Sequence, residues 1–101
     1  MRRGEIWRYQ PVAARPGQST LRLIVSADAI NADDRLPVVL TLHVVDTDPD
    51  SLLAVRVGEH GWARALSVEP AMRSRLVEQV AAAEHDTMEQ VSNALRAVQD
   101  L

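Results

Sequence analysis

Hydrophobic and polar positions alternate with a period of two over much of the chain, and the alternating stretches are short. Residues 5–10 read as a strand with Ile6 between Glu5 and Trp7. Residues 20–26 put Leu21, Leu23 and Val25 on one face and Thr20, Arg22, Ile24 and Ser26 on the other. Residues 38–45 form an apolar strand in which Thr41 and His43 share a face, and further strands are expected over 52–57 and 61–68. Between them lie breakers: Pro11, Pro16 and Gly17 in the loop 11–19, an acidic turn at 46–50, and Gly58. Residues 28–35 are polar and suit a single helical turn from Asp28. Short strands separated by turn signals every ~8–12 residues predict a small all-β barrel or sandwich.

The end of the chain changes period. Met88, Val91, Leu95 and Val98 fall on one helical face, behind Asp86 and Glu89 at capping-box spacing. This predicts a C-terminal helix over about 87–99. The segment 72–83 is ambiguous, and Met72, Leu76, Val80 and Ala83 fit a helix.

At 101 residues the chain is a single domain, 1–101, near the lower size limit for an unaided core, so self-association would help it. Aromatics are limited to Trp7, Tyr9 and Trp62, so Val, Leu, Ile and Ala must build the interior. Trp7 and Trp62 either stack bases or anchor that interior. With no cysteine, disulfides and thiolate metal sites are excluded. No apolar run spans a bilayer and no leader segment is visible, which predicts a cytoplasmic protein without a membrane partner. The net charge of −3 is unevenly spread: residues 1–45 hold six Arg against four acids, residues 46–101 five Arg against ten. All eleven basic residues are Arg, whose planar fork suits phosphate.

Two segments carry a family resemblance. RGEIW at 3–7 and LRLIVSADAIN at 21–31, with SRL at 74–76 before the amphipathic end, resemble the MazF/PemK toxins of the MazF/CcdB superfamily. The resemblance implies a mainly β fold with a C-terminal α-helix, a small SH3-like barrel, and within 72–83 it implies a short turn at 73–76 and a strand from 77 onward as the alternative to a helix. It implies a homodimer, a cognate antitoxin as partner, and metal-independent cleavage of single-stranded RNA with no cofactor. RNA cleavage of this kind uses the 2′-hydroxyl as nucleophile. One group takes its proton, another protonates the leaving oxygen, and a cation holds the phosphorane.

The family places an Arg before its IVS strand and a Thr after its third strand. In strict register those positions hold Thr20 and His43. Arg22 and Thr41 lie two residues away on the same faces, so one surface is expected to present Arg22, Thr41 and His43. Arg22 would stabilise the phosphorane, His43 transfer protons, and Thr41 donate to a phosphate oxygen. RNA contacts are expected from Arg3, Arg15, Gln18 and Thr20. His60 and His85 are assigned no chemistry, and no spacing suggests a metal site.

The alternative is a binding protein: a CcdB-like DNA gyrase inhibitor, or a toxin-like barrel without nuclease activity. GEHGWAR at 58–64 resembles a CcdB segment, and Arg22 falls on a CcdB arginine. The ending Gln99-Asp100-Leu101 lacks the CcdB terminal Trp-Gly-Ile, and the opening RGEIW favours the MazF branch.

Overall fold

A computed structural model describes residues 1–13, 15–16 and 19–99. The chain runs β1 (Glu5–Tyr9), β2 (Leu21–Ile24), α1 (Asp28–Asn31), β3 (Val38–Val45), β4 (Ala54–Arg56), β5 (Trp62–Met72), β6 (Leu76–Ala82) and α2 (His85–Gln99). The strands form one antiparallel sheet in the order β4-β5-β3-β2-β1-β6. This is the expected β fold with a C-terminal helix, but the sheet does not close: β4 and β6 remain its edges.

The alternation read from the sequence sorts side chains into two interiors. On one face Ile6, Leu23, Leu42, Val44 and Ala63 pack with Met88, Val91 and Ala94 of α2. On the other a smaller cluster of Ile24, Val39, Ala71 and Leu76 is flanked by Trp7 and Tyr9. Both faces of β2 are therefore covered. Trp7 contributes to the smaller interior and donates its indole N–H to Glu5 Oε1 at 2.9 Å. Trp62 stacks under the Arg56 guanidinium at 5.1 Å.

The segment 72–83 adopts the strand reading. A short turn at Arg73–Arg75 leads into β6, which pairs with β1 from Tyr9↔Leu76 to Glu5↔Ala82. Pairing with β1 satisfies backbone groups that a local helical pattern says nothing about. The helix α2 begins at His85, earlier than expected, so Asp86 lies in its first turn rather than at its cap. There the acid suits the positive end of the helix dipole. Glu89 pairs with His85 Nε2 at 3.1 Å instead of completing a capping box.

The residues carrying the family resemblance turn out to hold the fold. Gly4, at φ 96°, donates to Ile24 O and accepts from Ala83 N, both at 2.8 Å, joining β2 to the approach of α2. A Cβ there would approach Met88 Cγ to 3.3 Å. Asp28 accepts the Arg3 N–H at 2.7 Å and the Asn31 amide at 3.2 Å. The buried Asn31 bonds back to Ser26 through both its side-chain oxygen and its amide. Arg73 then clamps this corner, donating to the carbonyls of Ile30, Asn31, Asp33 and Leu36 at 2.6–3.0 Å.

Candidate functional site

The site lies on the sheet face opposite α2 and is set by strand register. Arg22 pairs with Trp7 on one side and His43 on the other, while Ile24 pairs with Thr41 and Thr41 with Glu69. Arg22, Thr41 and His43 therefore do share a face. Their depths differ, and this changes their chemistry.

Arg22 is only 2% exposed. Its guanidinium sits 4.7 Å from the Tyr9 ring, and Nη1 donates to the carbonyls of Ser19 at 2.8 Å and Leu21 at 3.1 Å. Burial lowers its pKa from the ordinary guanidinium value, and the charges of Glu69 and Tyr9 oppose that shift. It stays a cation, because an arginine titrates far above neutrality. Arg22 is thus a charge held beneath the surface.

Thr41 is fully buried, and its hydroxyl donates to the Glu69 carbonyl at 2.9 Å. The hydroxyl is thus bonded to the backbone and sealed from solvent. His43 does reach the surface, with its side chain 24% exposed. Its Nε2 meets Glu69 Oε2, whose side chain is 53% exposed.

A bulge in β5 opens space at this point. Leu42 faces Val68 and Val44 faces Ala63, so β5 advances five residues while β3 advances two. Four residues, 64–67, thus lie opposite His43 where regular pairing would place one. Bulges commonly re-aim side chains beside functional sites. The result is an open depression of about 550 Å³ lined by His43, Glu69, Arg64, Ser67, Ser19 and Val45. Arg64 is exposed and supplies a positive charge at the surface. Ser19 accompanies it, its hydroxyl donating to the Val44 carbonyl.

The other predicted contacts are not gathered here. Arg3 lies near α2, donating to Ser92 Oγ at 2.6 Å and to the Val25 carbonyl at 3.3 Å. Arg3 is exposed but stands apart from the depression. Thr20 is exposed at the entry to β2 and lines a neighbouring hollow with Asp46 and His60, outside the depression. Arg15 is exposed in the loop before β2, and Gln18 lies outside the described residues. Among the described residues no three His, Cys, Asp or Glu side chains converge as a metal site. No helix there is long and apolar enough to cross a membrane.

Glu69 and Arg64 were not singled out from the sequence. Strand β5 was expected over 61–68, but it continues through Glu69 and Pro70 to Met72. Pro70 is tolerated for a specific reason. It faces Leu40, whose carbonyl accepts from Val25 N–H at 2.9 Å and whose N–H donates to Ser26 Oγ at 3.2 Å. Leu40 thus directs its backbone groups towards β2, and no donor is required from Pro70. The usable signal was the small apolar Ala71 beyond Pro70, which is buried in the smaller interior while Ala63 and Ala65 pack on the α2 side.

This open sheet with one terminal helix is the fold of the MazF endoribonucleases. Over its full length the chain is similar to an endoribonuclease from Mycobacterial species in complex with its cognate antitoxin, at 21% identity, 96% of that chain and a TM-score of 0.84. An endoribonuclease from Mycobacterial species matches the whole chain at 22% identity, 92% of its own length and a TM-score of 0.81. MazF from Deinococcus radiodurans matches 99% of the chain and 96% of its own, at 20% identity and a TM-score of 0.76. No protein-family model and no curated protein matches the sequence.

Proposed function

We propose that the protein is the toxin of a type II toxin–antitoxin pair and cleaves single-stranded RNA without a metal ion, leaving a 2′,3′-cyclic phosphate. The observation that carries this reading is the open depression on a MazF-type sheet in which His43 meets solvent between Glu69 and Arg64. The 2′-hydroxyl attacks the adjacent phosphorus, and His43 moves a proton because its ordinary pKa lies near neutrality. Arg64 binds the phosphate directly. Arg22 adds positive potential from below, where low polarity strengthens it. An antitoxin as partner is supported by the similar endoribonuclease captured with its own.

A homodimer is part of the same reading. Val38, Leu40, Val68 and Met72 are each 39–50% exposed, and register sets Leu40 beside Pro70 and Val38 beside Met72. Val38, Leu40 and Met72 form an apolar patch that extends the helix-bearing face beyond α2, where a second copy would cover it, while Val68 also lines the depression.

The binding-protein reading also has an observation in its favour: Arg22 is sealed and Thr41 is tied to the backbone. Incubation of antitoxin-free protein with long single-stranded RNA in EDTA separates the two. Fragments ending in a cyclic phosphate are expected. Intact RNA in the presence of folded protein selects the binding reading.

A further inference from the structure

We infer that Glu69 is the general base of this site and His43 its conjugate general acid. The inference rests on the RNA-cleavage reading and assigns the two proton transfers that it requires.

Glu69 is held unusually well for a side chain on a surface strand. Thr41 Oγ1 pins its carbonyl from the neighbouring strand at 2.9 Å, and Pro70 restricts the backbone immediately after it. The carboxylate projects into the depression, where only Oε2 is engaged by His43 among the described residues. The other oxygen has no hydrogen-bond partner among the described residues and remains an acceptor. A half-exposed pair of this kind adds little to stability. Glutamate also has a low strand propensity, so neither packing nor secondary structure favours an acid here.

The charges around the pair suit the chemistry. Arg22 comes from β2 and Tyr9 from β1, His43 from β3, and Arg64 from β5 itself. The carboxylate and the imidazole thus stand beside one buried and one exposed arginine.

The step balances within this pair. Glu69 takes the 2′-hydroxyl proton as the 2′-oxygen bonds to phosphorus. The bond from phosphorus to the 5′-oxygen breaks, and the His43 imidazolium protonates that oxygen. Glu69 then holds a proton and His43 lacks one. Their direct contact returns the proton and restores the starting state, with no external acid, oxidant or metal.

The test is the pH–rate profile of RNA cleavage by the full chain and three variants, in EDTA. The wild type should give a bell, with its acid limb from Glu69 and its alkaline limb from His43. Glu69→Gln should cut the rate by about 10²–10⁴-fold and remove the acid limb, at an unchanged melting temperature. His43→Gln should remove the alkaline limb. Added formate should restore part of the activity of Glu69→Ala, which a purely structural residue would not permit. A Glu69→Gln protein with the wild-type rate overturns the assignment while leaving the ribonuclease reading intact. So does a slow Glu69→Gln that keeps its acid limb, with no formate rescue of Glu69→Ala. Absence of product from the wild type itself removes both.

Discussion

His43 and Glu69 lie 26 positions apart in the chain, and their side chains meet because the β3/β5 register, resuming at Leu42↔Val68 after the bulge in β5, sets Thr41 opposite Glu69. The imidazole and carboxylate stand in an open depression, above a buried arginine and beside an exposed one. The location of these charges, more than their number, separates residues that touch a substrate from those that support the site.

Arg64 and Arg22 should behave differently when removed. Arg64→Ala is expected to weaken RNA binding and to reduce its salt dependence by about one phosphate contact, with an unchanged melting temperature. Arg22→Ala removes a buried group from the carbonyls of Ser19 and Leu21 and from Tyr9, so it should lower the melting temperature. Binding isotherms at several salt concentrations, paired with thermal denaturation, check both.

Thr41→Val keeps the side-chain shape and deletes the hydroxyl. Loss of its bond to the Glu69 carbonyl should cost about 1 kcal/mol. Cleavage should persist within ~10-fold of wild type, well short of the 10²–10⁴-fold expected for a residue in proton transfer. A larger loss at unchanged stability would return Thr41 to the catalytic set.

Arg73 is expected to be among the most sensitive positions away from the site. Its guanidinium satisfies four carbonyls around α1. Arg73→Ala should destabilise the protein by about 2 kcal/mol, in the range for an orphaned network of charged hydrogen bonds. For a domain of this size that is a fall of very roughly 8–16 °C in melting temperature. Chemical denaturation should report the same loss.

Asp28 makes stability depend on acid. The Arg3 backbone N–H, then the Asn31 amide, hold its carboxyl below the ordinary carboxylate pKa. A group with a lowered folded pKa contributes fully above its unfolded value and loses that contribution as pH falls through the folded one. The wild type should therefore lose stability below about pH 4. Asp28→Asn should be less stable at neutral pH and fall less steeply below pH 4. Equal slopes in the two proteins would show that Asp28 is not the group responsible.

Leu40→Glu tests the dimer surface. It places a charge in the middle of the Val38–Met72 patch and should shift the light-scattering mass from two chains to one at micromolar concentration, with the fold retained by circular dichroism. A wild type that is already monomeric at that concentration would remove the patch from the account.

The alternation along the chain was enough to determine which residues share a face. It grouped Arg22 with Thr41 and His43, separated Leu21 and Leu23 from Arg22 and Ile24, and marked the terminal helix through Met88, Val91, Leu95 and Val98, because these periods are local properties of the backbone. Depth was not legible in that pattern. Arg22 is sealed because Tyr9 arrives from β1 and Ser19 from the preceding loop, and Thr41 because β5 supplies the Glu69 carbonyl. Residues 76–82 show the same limit: their helix-like spacing gave way to pairing with β1, which satisfies backbone groups that the local pattern does not count. Glu69 and Arg64 joined the site only through the register of β5 and its bulge, a non-local relation decided by tertiary pairing.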